Sequence, residues 1–434
     1  MSAMTDDDLS PLQAIEQSVQ DRARALSAGA AVDEQELRRL VEEAVAQWSL
    51  DHRRGVRPYE LADPAQVIER AVRNLAGYGP LAPLLADDDV WEVMINAPSE
   101  IFVKRHRGPS GYHHEVFHDD AHVVRTLTKV LEDASSSHRK LDATEGLQDA
   151  QLDDGSRIHI VHGDIGRGGH VMVNIRKFTD VAFHDLRELV QRDMLSTEAA
   201  RFLAMCVRAK ASIVFAGAPG SGKTTMLSCC CAELDPTLRV VVAEEVFEAD
   251  VPVANSAHMQ TRPARGDRPA VDLRRLVSGF LRMAPDIAIV GEVRDREALP
   301  LLLTLSSGVK GFTTIHAGSA RQALTRLRFV CQLADAQLPM SALNTLVSEA
   351  VDVVVHCART PEGPRVTEIV AVEDLAGGTD AAQFTVSPVF TRSAPGAPLV
   401  WTGQVPARLD RLVGQAGLGL RASLGDAAEG CAPR

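Results

Sequence analysis

Residues 211–216, 240–243, 287–290 and 312–315 are short, unbroken apolar runs, and the stretches between them carry apolar residues at helical spacing. Thr197–Arg208 reads as a helix ahead of the first run. Buried strands alternating with helices predict an α/β domain, an open and mostly parallel sheet covered on both faces, over residues 179–392. Residues 351–357, 365–372 and 384–390 read as antiparallel strands at its edge. Beyond 392 the chain turns rich in Ala, Gly and Pro, so residues 393–434 are expected to form a poorly ordered tail.

The first part has a different texture. Leu37, Leu40, Val41, Ala44 and Val45 repeat at helical spacing until the polar Asp51-His-Arg-Arg-Gly55 break, giving a helical, acidic extension over 1–62. A helix follows Pro64 over 65–75 and Gly77-Tyr-Gly-Pro80 stops it. Residues 91–96, 101–106 and 113–117 alternate like half-buried strands, as do 156–162 and 170–176, with a helix at 123–131. These make a smaller α+β domain over 63–178.

Composition narrows the function. The 434 residues carry 46 Lys and Arg against 58 Asp and Glu, a net charge of −12, which disfavours a protein that coats nucleic acid. No apolar run reaches the ~20 residues of a membrane span, the best being 299–305. The acidic start lacks the basic and apolar regions of a signal peptide, so a cytoplasmic protein is expected. Seven cysteines in no framework spacing, three of them consecutive at 229–231, read as small buried residues.

The candidate chemistry starts at Gly217-Ala-Pro-Gly-Ser-Gly-Lys-Thr224, which fits G-x-x-x-x-G-K-[ST] between an apolar strand and a helix. Gly217, Gly220 and Gly222 let the backbone N–H groups of the loop, those of Ala218 and Ser221 included, approach a phosphate, with Pro219, which has no N–H, as a further residue of the loop wall. The helix N-terminus, with Thr225, adds positive potential. Lys223 would span the β- and γ-phosphates of a nucleotide, and Thr224 would offer its hydroxyl to Mg²⁺. Hydrolysis also needs acids. Glu292 closes an apolar strand expected next to the phosphate-loop strand, where a metal-orienting acid belongs. Glu244 and Glu248 close another, and both are candidates to activate water. His316 ends a further strand and can sense a γ-phosphate.

Taken together these segments resemble the ATPases of the type II/IV secretion superfamily, and most of all their CpaF/TadA branch, which powers Flp (tight-adherence) pili. The phosphate loop, Glu244-Glu-Val-Phe-Glu248, Leu281-Arg-Met-Ala-Pro-Asp-Ile-Ala-Ile-Val-Gly-Glu-Val-Arg294 and Gly311-Phe-Thr-Thr-Ile-His-Ala317 stand in the family's order. Gly77-Tyr-Gly-Pro-Leu81, Leu152-Asp-Asp-Gly-Ser-Arg157, Ile175-Arg-Lys-Phe178 and Gln260-Thr-Arg-Pro263 extend the likeness over roughly residues 70 to 370. The resemblance implies a RecA-like ATPase core with a packed N-terminal domain, ATP and Mg²⁺, and a homo-hexamer. It also implies a peripheral place at the inner face of the cell membrane, beside a platform protein. It makes Glu248 the catalytic base, Glu292 the Walker B acid, Glu244 a further metal-side acid and His316 the γ-phosphate sensor. Arg262 and Arg282 match trans-acting arginines, and Arg157, Arg176 and Arg294 match cations at the nucleotide. Three positions depart: Glu245 where the family usually has Asp, Val309 where a second His is frequent, and Ala284 where Arg is common. These bear on coupling and turnover rather than on nucleotide binding. A type IV secretion traffic ATPase and a low-turnover nucleotide switch are the alternatives.

Overall fold

The computed structural model describes residues 10–26, 33–106, 108–134, 141–142, 144, 146–177, 183–262, 264, 268–334, 338–375, 383–420 and 424. The chain divides into two compact units, Met1–Thr179 and Asp180–Arg434. No helix among the described residues is long and apolar enough to cross a membrane.

In the first unit, helices Pro11–Leu26, Glu34–Arg53 and Pro64–Ala76 pack around Ile15, Val19, Leu40, Val41, Val45, Trp48 and Val72. Asp33 and Asp63 cap the second and third, each accepting a backbone N–H three residues on, and Pro64 sits where a missing N–H costs nothing. The expected boundary at 62/63 therefore runs through a shared core: Ala71 and Val72 of the third helix belong with the first two.

A six-stranded antiparallel sheet follows, formed by β1 (Val90–Ala97), β2 (Glu100–Arg105), β3 (Gly111–Tyr112), β4 (Leu147–Gln151), β5 (Arg157–Val161) and β6 (Met172–Arg176), in the order β3-β2-β1-β6-β5-β4. Val93, Ile95, Ile101, Val103, Ile158, Ile160, Val173 and Ile175 pack with Val123, Leu127 and Leu131 of helix Asp120–Asp133. The strand expected at 113–117 does not form. His113, Glu115 and Phe117 do alternate inward, but Glu115 leaves the sheet to pair with Arg73 at 2.9 Å, and only Gly111–Tyr112 pairs with β2. β4 was not anticipated, since Leu-Gln-Asp-Ala-Gln carries little strand propensity.

The second unit holds a nine-stranded sheet in the order β15-β14-β13-β12-β7-β11-β10-β8-β9. Its strands are β7 (Ile213–Gly217), β8 (Val240–Glu244), β9 (Ser256–Gln260), β10 (Ile287–Val293), β11 (Lys310–Ile315), β12 (Val353–Thr360), β13 (Gly363–Val372), β14 (Val386–Arg392) and β15 (Leu399–Trp401). β12, β7, β11, β10, β8 and β9 run parallel; β13, β14 and β15 continue antiparallel. Two hydrophobic cores cover the two faces, as the runs of β-branched residues require.

Two expectations are corrected in this unit. β12 is an interior strand, parallel to β7, because Val353, Val354 and Val355 are buried on both faces. The tail also folds, in part. β15 pairs with β14, and Leu409 and Val413 of helix Ala407–Gln415, with Leu420 and Leu424, join the core of Phe215 and Phe390. Arg408 anchors that helix: its guanidinium donates to the Ser348 and Glu349 carbonyls and to Asp352 at 2.8 Å. Residues 421–423 and 425–434 lie outside the described residues.

Candidate nucleotide-binding site

β7 delivers the phosphate loop and helix Lys223–Cys231 leaves it. The glycines are obligatory for different reasons. Gly217 has φ +152°, and a Cβ there would lie 2.2 Å from the Cys357 carbonyl oxygen. Gly222 is left-handed at φ +88°, and a Cβ would meet Met194 Cε at 2.8 Å. Ser221 is fully buried inside the loop, and its hydroxyl has no hydrogen-bond partner among the described residues. An orphaned buried hydroxyl in a glycine-rich loop at a helix N-terminus is what a phosphate oxygen would satisfy. The residues therefore fit a nucleotide phosphate. Thr224 and Thr225 are half-buried at the start of the helix.

Lys223 is buried and donates to the Ala218 carbonyl at 3.0 Å. Its Nζ also lies 3.3 Å from His316 Nδ1. His316 follows β11, which neighbours β7, and its Nε2 stands 2.6 Å from Glu292 Oε1. Nδ1 also lies 3.2 Å from the Gly217 carbonyl oxygen, so the imidazole touches the phosphate-loop backbone as well as the lysine. The ring thus links the phosphate-loop lysine to the acid of β10. One expectation needs correcting: β10 is not adjacent to β7, because β11 lies between them.

Glu292 receives a second partner, Arg294 Nη2 at 2.6 Å, and Arg294 Nη1 donates to Glu245 at 2.9 Å. Burial works to raise the Glu292 pKa, but hydrogen bonds from His316 and Arg294 outweigh it and hold the carboxyl at about 2. Burial likewise acts to lower the Arg294 pKa, while its bonds to Glu292 and the charges of Glu245 and Glu248 raise it. Glu244, the last residue of β8, is buried, and its Oε1 accepts the backbone N–H groups of Glu248 and Ala249. Glu248 itself is half-buried in the loop after β8.

The other candidate cations lie elsewhere. Arg262 follows β9, the far edge of the sheet, where its backbone bridges Val271 and its guanidinium donates to Pro269. Arg282 is exposed in the turn Phe280–Met283. Arg157 and Arg176 belong to the first unit, directly opposite one another on β5 and β6. Sequence reasoning missed three supporting residues. Arg359 of β12 donates to the Gly220 carbonyl at 3.2 Å. Glu297 accepts the N–H groups of Arg294 and Asp295. Thr314 of β11 donates to the Gly291 carbonyl at 2.8 Å. Arg359 and Glu297 stand in no motif, whereas Thr314 lies within Gly311-Phe-Thr-Thr-Ile-His-Ala317; strand order brings Arg359 and Thr314 in, and Glu297 acts locally on the turn after β10.

Comparison with known proteins gives concordant results. The model of the family described as type II/IV secretion system protein matches residues 74–362. A putative conjugal transfer protein of Mycobacterium tuberculosis is 29% identical over 317 residues, covering 71% of this chain and 88% of its own length. The type IV secretion system protein PtlH of Bordetella pertussis is 32% identical over 306 residues, covering 64% and 88%. Among solved structures, the VirB11 ATPase of the Brucella suis type IV secretion system, in complex with sulphate, is 26% identical with a TM-score of 0.36, covering 67% of this chain and 94% of that one. The Legionella pneumophila ATPase DotB is 15% identical with a TM-score of 0.48, covering 67% and 79%.

Proposed function

This chain belongs to the type II/IV secretion system family of ATPases, and on that premise we propose that it is an ATP-hydrolysing motor, acting as a homo-hexamer at the cytoplasmic face of the inner membrane. It drives assembly of Flp-type pili through a membrane platform protein, as the CpaF/TadA-like boxes suggest. The second reading, export of DNA or effectors by a type IV secretion system, is favoured by the conjugal transfer protein and PtlH among its relatives. Loss of surface pilin in a deletion strain supports the first; intact pili with lost DNA or effector export support the second.

One observation carries the chemistry: the contact chain from Lys223 through His316 to Glu292. The backbone N–H groups of residues 217–225, Pro219 excepted, the Ser221 hydroxyl and Lys223 hold the phosphates. Thr224 and Glu292 would hold Mg²⁺, which would supply positive charge beside the phosphates. Glu248 takes the proton from the attacking water. His316, in contact with the lysine on one side and the acid on the other, registers whether a γ-phosphate is present. Arg262 and Arg282 act on the neighbouring subunit's nucleotide.

Steady-state ATP hydrolysis tests this reading. Lys223→Ala is expected to abolish nucleotide binding. Glu248→Gln should leave binding intact and lower kcat by about 10²- to 10⁴-fold. Turnover should rise more steeply than linearly with protein concentration. ATP binding without turnover, unchanged by Glu248→Gln, overturns the motor and leaves a nucleotide switch.

A further inference from the structure

We propose that Glu244 is a positioning residue: its carboxylate is the anchor that fixes the backbone carrying Glu248. The proposal rests on the ATPase reading above, and it removes Glu244 from the metal-binding set suggested by its place in the acidic box.

Glu244 is 2% exposed. One of its oxygens, Oε1, accepts from two successive amides, Glu248 at 3.0 Å and Ala249 at 2.9 Å. The third amide, Asp250, donates to Ser228 Oγ at 3.0 Å, on the helix that leaves the phosphate loop. Three consecutive N–H groups are therefore tied down, two to the sheet and one to the phosphate-loop helix. Charge-assisted bonds to backbone amides are strong and directional. They fix the backbone at Glu248 and with it the root of its side chain. Such positioning matters because small displacements of a base cost large factors in rate.

The neighbouring strand is built around the same side chain. A Cβ on Gly291 would lie 2.9 Å from Glu244 Cγ and 3.2 Å from its Oε1. Any other residue at 291 would push the carboxylate off the amides. Gly291 is held in turn by the hydroxyl of Thr314, and it immediately precedes Glu292. Glu244 thus lies between the segment carrying the Walker B acid and the loop carrying the base.

The test separates charge from hydrogen-bond acceptance. A metal ligand or a base needs the carboxylate charge; an anchor needs only an acceptor oxygen, which glutamine retains. Glu244→Gln is expected to keep kcat within about threefold of the wild type. Glu244→Ala should lower kcat by about 10- to 100-fold with the KM for ATP unchanged. Gly291→Ala should behave like Glu244→Ala, and it serves as the loss variant if Glu244→Ala does not fold. Hydrogen exchange supplies a readout independent of turnover. The Glu248 and Ala249 amides should be protected in the wild type and in Glu244→Gln, and should exchange at least about tenfold faster in the loss variants. A Glu244→Gln protein as inactive as Glu248→Gln overturns the proposal, as does unchanged exchange in the loss variants. If the wild type hydrolyses no ATP, the motor reading fails, and the exchange experiment still decides the role of Glu244.

Discussion

Glu292 is a carboxylate whose surroundings oppose one another, with burial on one side and an imidazole and a guanidinium on the other. The donors win, and that fixes the sign of a pH effect. Its folded pKa of about 2 lies below the ordinary 4.5, so the stabilisation is fully present above pH 4.5 and is lost as the pH falls toward 2. Between pH 5 and pH 3 the loss attributable to this group is about 2 kcal/mol. Denaturant titrations of wild type and Glu292→Gln at the two pH values should show it, with the variant losing correspondingly less. Gly217 is constrained differently, by φ +152° and the Cys357 carbonyl 2.2 Å from a would-be Cβ. Gly217→Ala is expected to cost on the order of 3 kcal/mol and to weaken ATP binding by more than tenfold, read by thermal melts and nucleotide titration. At this scale the sequence was most informative. Lys223, Glu292 and His316 meet although 93 residues separate the lysine from the histidine. Each ends or follows a strand, and the ends of parallel strands share one edge of the sheet.

Among the elements, helix Lys223–Cys231 has no solvent-facing stripe. Cys229, Cys230 and Cys231 point in different directions and all are buried. Burial pushes the Cys229, Cys331 and Cys357 thiols up to about 12 and those of Cys206, Cys230 and Cys231 up as well. All six should stay unlabelled by a maleimide at pH 7.5 in the native protein and react on unfolding, as a mass shift would report. Apolar runs located seven of the nine strands of the second unit to within a few residues, missing β9 and β15, and did not give their neighbours. Nothing in Val353-Val-Val355 says whether its partner runs parallel, because burial on both faces looks the same either way. The alternation at 113–117 misled for the opposite reason. It recorded true inward positions, but the Arg73–Glu115 pair, not a strand ladder, set the path of the chain.

For the second unit as a whole, the segment after residue 392 closes one end of the sheet and one of its two cores. Composition hid this, since Leu409, Val413 and Leu420 are few among Ala and Gly, and their worth depends on a core assembled from distant strands. Asp352 is the fastening point: it is 4% exposed and accepts from the Ser212 amide, Lys310 and Arg408. Arg408→Ala removes one cation from a buried carboxylate and frees two carbonyls. It is expected to destabilise the unit by about 3 kcal/mol in denaturant unfolding. Arg408→Lys restores charge but not the forked geometry, and should recover only part of that loss.

β11 shows what such fastening implies for the length of a segment. Lys310 at its start is held by Asp352 at 2.9 Å, and His316, just past its end, lies between Lys223 and Glu292. A strand advances about 3.3 Å per residue and turns its side chains over at each step. One residue added or removed between these two points would carry the imidazole out of reach and aim it at the opposite face. The stretch from Lys310 to His316 is thus a part of fixed length, closed to any insertion or deletion.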